Sequence, residues 1–157
     1  MIKISVCDDD EGQLTFFKQC FMEYNEKHKE KIEANFYQSV QSLLNEKKFS
    51  PDVYFLDIEL QDGNGLKLAG KIRTRNSKIP IVFITSHEEF MPEAFHVHAY
   101  QYLNEKKNAQ AVENVLNQLA DYFSEQNQIF SFQTYGEMIS LDCRDIICFT
   151  SEKRKNI

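Results

Sequence analysis

The chain has 157 residues, of which 42% are hydrophobic and 27% are charged, a composition typical of a soluble globular protein. Its net charge of −6 arises entirely before residue 127, since acidic and basic residues balance from there onward. The length accommodates one well-buried domain and part of another, and the acidity of the first part argues against nucleic-acid binding by it.

Membrane insertion and secretion are not expected. No apolar run approaches the roughly 20 residues that a membrane span requires, and the chain start lacks a basic region followed by an apolar one. The cysteines form no CxxC pair and no zinc-ligand spacing, which predicts reduced and mostly buried thiols at Cys7, Cys20, Cys143 and Cys148. We therefore expect a cytoplasmic protein without a membrane segment.

The first forty residues predict a strand, a helix, a strand and a short helix. Residues 2–7 alternate in polarity and end at an acidic cluster, and the apolar spacing from about Gln13 to Tyr24 is that of one helical face. Residues 31–37 alternate again and predict a second strand. Ser39 can cap a short helix whose inward residues are Val40, Leu43 and Leu44.

The stretch from Val53 to Gly65 predicts the centre of the fold. Its continuous apolar run is typical of a strand buried on both faces, and this strand ends abruptly at Asp57. Residues 61–65 then form a loop of the type that tolerates positive φ. Asn64 can cap the next helix, whose predicted buried residues are Leu66, Ala69 and Ile72.

Three further elements follow before residue 124. Residues 79–84 predict a buried strand that ends at Thr85, and a less regular helix runs through Phe90, Ala94 and Phe95, with Pro92 in its first turn. Residues 99–103 predict a fifth strand. Residues 109–123 carry the clearest helical stripe in the chain.

This alternation repeats five times without a hairpin signal. It predicts a flavodoxin-like, doubly wound α/β domain with a five-stranded parallel sheet over residues 1–124. Beyond a linker at 125–128 the pattern changes to short strands at 129–134, 138–141 and 146–150, with a tight turn at 135–137. We expect residues 129–157 to be a truncated all-β segment, because about thirty residues cannot bury a core.

Carboxylates follow two strands that are neighbours in this topology. Asp8 and Asp9 end the first strand and Asp57 ends the third, so the three acids should meet at one edge of the sheet. Their mutual repulsion favours a bound cation, and hard oxygen ligands suit Mg²⁺. Thr85 ends the fourth strand, where its hydroxyl could bond a phosphoryl oxygen on Asp57.

On these residues the chain resembles the receiver domains of two-component response regulators, which have the CheY-like fold. The resemblance covers about residues 1–124 and rests on Asp8-Asp9, on Asp57 in LDIEL, and on Gly65, Thr85 and Tyr102. It implies that a sensor histidine kinase phosphorylates Asp57, and that self-dephosphorylation is the only catalysis. It also implies Mg²⁺ bound by Asp8, Asp9, Asp57 and the backbone carbonyl of Glu59, with Thr85 and Tyr102 as switch residues.

The C-terminal residues resemble the opening of a LytTR-type DNA-binding domain, mainly through the segment DIICFTSEKRK. This resemblance implies a transcription regulator like those that control quorum-sensing and virulence genes in Gram-positive bacteria. DNA binding would then require the complete C-terminal domain of the parent protein. The receiver resemblance further suggests homodimerisation through the fourth helix, fifth strand and fifth helix.

The sequence departs from the receiver pattern at two positions. Where receivers usually carry a lysine three residues after the switch aromatic, this chain has Glu105, and Lys106 and Lys107 follow. Either Lys106 reaches the phosphoryl group, which we favour, or the cationic partner is missing. Gln61 stands where the family usually has proline, which is expected to loosen the loop.

Two other functions stay open at this point. A pseudo-receiver that is not phosphorylated would act only as a dimerisation and interaction module, and Glu105 favours this alternative. A phosphatase with an aspartyl nucleophile ranks last, because such enzymes generally carry a second aspartate two residues after the first, where this chain has Glu59.

Overall fold

The computed structural model describes residues 1–103, 108–126, 129–134 and 137–142. One parallel sheet has the strand order β2-β1-β3-β4-β5, from β1 (Ile2–Cys7), β2 (Ile32–Tyr37), β3 (Val53–Asp57), β4 (Ile81–Ile84) and β5 (Gln101–Leu103). The helices that alternate with these strands are α1 (Glu11–Lys27), α2 (Val40–Asn45), α3 (Gly65–Arg75), α4 (Met91–His96) and α5 (Ala109–Gln126). This topology confirms the predicted doubly wound parallel sheet.

The central strand β3 is covered on both faces. Phe55 packs edge-on against Phe17 and Phe21 of α1, with ring centroids 5.9 and 5.8 Å apart. Leu56 points to the opposite face, where it joins a buried cluster that includes Leu68 of α3. Because successive side chains of a strand alternate between faces, an unbroken apolar run requires this two-sided cover.

Side-chain caps begin three of the helices. Ser39 caps α2 and Asn64 caps α3, as predicted. Asp10 caps α1 by accepting hydrogen bonds at its first turn, so that helix begins at Glu11 rather than at about Gln13. These caps fix where each helix leaves the edge of the sheet that carries the acidic residues.

Of the three residues predicted to be buried in α3, two are buried and one is only partly buried. Ala69 and Ile72 are buried as expected, but Leu66 is only partly buried, and Leu68 is almost completely enclosed. Leu66 lies in the first turn of the helix, where the chain has just left the sheet. Leu66 still packs against the core cluster, but Leu68 is the leucine that the core encloses.

The loop after β3 contains a small antiparallel pair that the sequence did not predict. Residues Glu59–Leu60 pair with Gly63–Asn64 in a short hairpin that carries no signal in the sequence. Two residues on each side are too few to give an alternating pattern in the sequence. At the tip, Asp62 accepts hydrogen bonds from the backbone N–H groups of Val40 and Gln41, at 2.9 and 3.0 Å.

Gly65 allows α3 to start directly against the end of β3. A Cβ atom at this position would lie 2.0 Å from the carbonyl oxygen of Asp57, closer than any side chain tolerates. The backbone N–H of Gly65 donates to the carbonyl of Ile58 at 2.8 Å. Only glycine fits this approach, which holds the backbone of Asp57 in place.

Arg73 of α3 ties down the connection between α4 and β5. Its guanidinium donates to the backbone carbonyls of Val97 at 2.9 Å and His98 at 2.8 Å, and also to that of Ile79. His98 has a positive φ of 52°, in the left-handed region. The side chain of Arg73 thus satisfies the carbonyls of Val97 and His98 between α4 and β5, and that of Ile79 before β4.

The chain divides into two compact units, Met1–Leu116 and Asn117–Ile157, and the division lies within α5. The second unit contains β6 (Ile129–Thr134) and β7 (Glu137–Asp142), which pair antiparallel. Two of the predicted C-terminal strands are therefore confirmed, and the third, at 146–150, lies outside the described residues.

The domain boundaries at 124 and 129, and the LytTR-type resemblance, stay predictions. Among the described helices, none is long and apolar enough to cross a membrane. Cys7 and Cys20 are free and buried as expected, whereas Cys143 and Cys148 lie outside the described residues.

Candidate functional site

The carboxyl ends of β1 and β3 bring three carboxylates together. Asp8 and Asp9 follow β1 directly, Asp57 is the last residue of β3, and the two strands are paired. One oxygen from each of the three side chains lies within 4.8 Å of the other two. Asp8 is fully buried and Asp57 is 2% exposed, whereas Asp9 is partly exposed.

Backbone N–H groups orient the two buried carboxylates. Asp57 Oδ1 accepts a hydrogen bond from the N–H of Ile58 at 2.8 Å, and Asp8 Oδ1 accepts one from the N–H of Asp10 at 2.9 Å. Such bonds restrict the rotation of a carboxylate. Both side chains are therefore held before any ligand arrives.

Asp9 is oriented by Gln61, the residue that replaces the family's usual proline. The backbone N–H of Gln61 donates to Asp9 Oδ2 at 3.0 Å, a bond that proline could not make. The same loop is held at its tip by the bonds from Asp62 to α2. Gln61 thus adds a contact to the acidic cluster, and the expectation that it loosens the loop stays a prediction.

The pKa of the Cys7 thiol responds to the negative charges of the acidic cluster. Burial, the largest cause, and the negative charges of Asp62, Asp8, Asp57 and Asp9 together raise the pKa of this thiol to about 12. Carboxylates gathered in a partly enclosed space repel one another, and a hard divalent cation relieves that repulsion. The donor set, all oxygen and anionic, fits Mg²⁺.

Thr85 and Tyr102 lie near the carboxyl ends of β4 and β5, at the edge of the sheet that carries the acidic cluster. Asp57 pairs in register with Ile84, so Thr85 follows immediately beyond the neighbouring strand end, and it is fully buried. Thr85 Oγ1 accepts a hydrogen bond from the backbone N–H of His87 at 3.2 Å. The hydroxyl of Tyr102 donates to the backbone carbonyl of His87.

His87 connects these parts, although the sequence analysis did not single it out. Its Nε2 lies 2.9 Å from Glu59 Oε2 in the loop after β3, and its Nδ1 lies 3.0 Å from Glu89 Oε1. Hydrogen bonds from the backbone of Glu89 and from His87 lower the pKa of the Glu89 carboxyl. A histidine two residues after a strand-ending threonine was the available signal, but its carboxylate partner is distant in sequence.

The predicted cationic partner of the phosphoryl group cannot be placed. Glu105 and Lys106 fall within residues 104–107, outside the described residues. The choice between them stays a prediction.

Comparison with known proteins identifies the family. Residues 4–117 match the response regulator receiver domain. An uncharacterized response regulatory protein of Yersinia pestis is 29% identical over 120 residues, which cover 76% of this chain and 49% of that protein. The sensory transduction protein LytR of Staphylococcus haemolyticus is 32% identical over 111 residues, covering 71% of this chain and 42% of that protein.

A solved structure shows the same fold. The response regulator protein TrrA of Thermotoga maritima, in complex with Mg²⁺ and BeF, superposes with a TM-score of 0.65 at 22% identity, covering 76% of this chain and 99% of that one. This chain belongs to the response regulator receiver family. It spans less than half the length of the two curated relatives named above.

Proposed function

We propose that this chain is the phosphoryl-accepting receiver of a transcriptional response regulator, with Asp57 as the phosphorylated residue and a sensor histidine kinase as the donor. The observation that carries the proposal is the meeting of Asp8, Asp9 and Asp57 at the end of β1 and β3. A carboxylate at that edge is where open α/β sheets place their ligands. Membership of the receiver family supports the same assignment.

Mg²⁺ is the cofactor that these residues suit. Asp8, Asp9 and Asp57 would supply carboxylate oxygens, and Glu59 its backbone carbonyl. When bound, the ion would neutralise charge on the transferring phosphoryl group. With only a few protein ligands and several retained waters, we expect weak binding.

The reaction asks little of the protein beyond position and charge. A carboxylate oxygen of Asp57 attacks the phosphorus atom of a phosphohistidine, a P–O bond forms, and the P–N bond to the imidazole breaks. Attack by water on the resulting acyl phosphate releases inorganic phosphate and regenerates Asp57. The hydroxyl of Thr85 would donate its proton to a phosphoryl oxygen, since its oxygen already accepts from His87.

Lys106 is proposed as the cation that pairs with the phosphoryl group. Three carboxylates already lie within 4.8 Å of one another, so a phosphorylated Asp57 gains from a nearby ammonium group. Substitution Lys106→Ala should reduce phosphorylation-dependent activation, and Lys107→Ala serves as the matched control. Equal behaviour of the two variants would remove Lys106 from the site and leave Glu105 as its occupant.

Homodimerisation through α4, β5 and α5 is proposed as the output. Phe95 on α4 is 82% exposed and Met91 is 43% exposed, which leaves an apolar surface on this helix. Tyr102 of β5 bonds to His87, whose N–H bonds to Thr85, so a change at Thr85 has a route to this face. The complete C-terminal domain of the parent protein would then bind DNA.

Incubation with acetyl phosphate and Mg²⁺, followed by intact-mass measurement, tests the proposal. One phosphoryl group should be added, and Asp57→Asn should abolish the addition. Asp52→Asn is the matched control, because Asp52 lies at the other end of β3, where it accepts from the N–H of Lys3. If the mass increase persists in Asp57→Asn, Asp57 is not the phosphorylated residue. If the parent chain shows no mass increase, the result supports a pseudo-receiver.

A further inference from the structure

A cleft lies between α2 and α3, at the end of the sheet opposite Asp57. Its volume is about 580 Å³, within the range of about 300–1,000 Å³ that small-molecule sites occupy. Apolar side chains line it, contributed by Leu43, Leu44, Pro51, Ile72 and Ile79. Leu43, Ile72 and Ile79 are buried members of the core, so this part of the lining is rigid.

Two cations also line the cleft, at successive turns of α3. Lys71 and Arg75 are four residues apart and both exposed, so their side chains project from the same side of the helix. Neither has an ion-pair partner among the described residues. Two positive charges beside an apolar surface are therefore available to bind an anion.

The acidic residue of the lining does not compensate these cations. Glu46 Oε1 accepts hydrogen bonds from the backbone N–H groups of Lys48 at 2.6 Å and Phe49 at 3.3 Å. These bonds lower the pKa of Glu46 and turn its carboxylate onto its own loop. Its carboxylate stays ionised, but it forms no ion pair with Lys71 or Arg75 among the described residues.

Tyr54 adds a neutral polar group to the lining. Burial raises the pKa of its phenol, the neighbouring Tyr37 raises it further, and the positive charge of Arg75 opposes the rise. The hydroxyl therefore stays protonated at neutral pH and lies near Arg75. The hydroxyl of Tyr54 and the guanidinium of Arg75 both line the cleft, and donors of these two kinds suit a carboxylate or sulfonate.

We infer that this cleft binds a small amphipathic anion, with an aliphatic or aromatic body against Leu43, Ile72 and Ile79 and an acidic head group on Arg75 and Lys71. The distance from the acidic cluster makes this a second site, independent of phosphorylation. Charge complementarity selects the occupant, because an anion gains from both cations while a cationic ligand is repelled.

Titration with phenylbutyrate, followed by amide chemical shifts of the full 157-residue chain, tests the inference. The matched probe is phenylbutyramide, which has the same shape without the charge. Phenylbutyrate should shift the amides of Leu43, Leu44 and residues 75–79 saturably, and those around Asp57 should not move. The amide probe should bind more weakly.

Substitutions separate the cations of the cleft from general surface charge. Arg75→Gln and Lys71→Gln should each weaken phenylbutyrate binding roughly three- to tenfold. Lys67→Gln, on the exposed part of the same helix and outside the cleft, should leave the affinity unchanged.

Three results of the ligand titrations overturn the inference. They are the absence of saturable shifts at the cleft, equal affinity for the two probes, and equal loss in Lys67→Gln and Arg75→Gln. Shifts at the cleft that depend on protein concentration without added ligand would also overturn it, and would identify a second copy of the chain as the occupant.

Discussion

His87 Nε2 lies 2.9 Å from Glu59 Oε2, and this contact joins the loop after β3 to the loop after β4 across the mouth of the acidic site. Glu59 is two residues beyond Asp57, and His87 is two residues beyond Thr85. The backbone carbonyl of His87 also accepts a hydrogen bond from the hydroxyl of Tyr102. One residue therefore contacts the loop after Asp57 as well as Thr85 and Tyr102.

His87→Ala should shorten the lifetime of phosphorylated Asp57. The two loops lose their cross-link, and water gains access to a side chain that is only 2% exposed. Because an exposed ion pair contributes about 0.2–1 kcal/mol, the expected change is up to roughly fivefold. Decay of the phosphoryl mass increment with time measures it, and Glu89→Gln controls for the other contact of the imidazole.

Mg²⁺ should stabilise the chain against unfolding, and Asp9→Ala should remove that effect without loss of the fold. At a concentration tenfold above the dissociation constant the gain is about 1.4 kcal/mol. Without Mg²⁺, Asp57→Asn should raise the free energy of unfolding by about 1 kcal/mol, because one repelling charge is gone. Thermal unfolding with and without the ion tests both, and an unchanged response of Asp9→Ala contradicts the role of Asp9.

Gln61→Pro should weaken Mg²⁺ binding by up to roughly fivefold, because proline removes the N–H that holds Asp9. Gln61→Ala keeps that N–H and should bind Mg²⁺ like the parent chain. Calorimetric titration of both variants provides the comparison. If the alanine variant loses as much affinity as the proline variant, the side chain rather than the backbone matters.

Gly65 and Gly70 lie on the same helix and should respond in opposite directions to alanine. Gly65→Ala places a Cβ atom 2.0 Å from the Asp57 carbonyl oxygen and should cost roughly 1–3 kcal/mol, together with slower phosphorylation. A Cβ at Gly70 meets nothing within 4 Å, so Gly70→Ala should add about 0.5–1 kcal/mol of stability. Denaturant unfolding measures both, and a neutral Gly65→Ala would falsify the packing argument.

Cys7 should resist alkylation in the folded chain at pH 9. Its pKa is raised to about 12, so the thiolate is at least roughly a hundredfold less populated than in the unfolded chain. Because the folded pKa is above the unfolded value, this group contributes stability that is present below pH 9 and declines as pH rises towards 12. Iodoacetamide labelling with peptide mapping checks the prediction, and rapid labelling of native Cys7 contradicts it.

The strands of the sheet could be predicted because each carries its own signal. The apolar run before Asp57 and the alternation in β1 need no knowledge of the rest of the chain, and the parallel order follows from the repeated alternation. The meeting of Asp8, Asp9 and Asp57 then follows from the adjacency of β1 and β3.

What the sequence did not show depends on contacts between distant residues. Asp62 bonds to the start of α2, 21 and 22 residues away, and the Gln61 N–H reaches Asp9 across 52 residues. No local pattern marks either residue as a partner. The pairing of His87 with Glu59 was missed for the same reason, since each residue alone is typical of an exposed surface.

The hydrogen bonds that Arg73 donates have a consequence for how α4 could move. It anchors the carboxyl end of α4 through Val97 and His98, whereas the amino end of that helix has no side-chain cap and follows the loop that holds His87. A displacement of the loop after Thr85 would therefore move the amino end of α4 while its carboxyl end stays anchored. Met91 lies at that amino end and is 43% exposed, so we expect the apolar surface there to move more than Phe95, which is next to the anchored end.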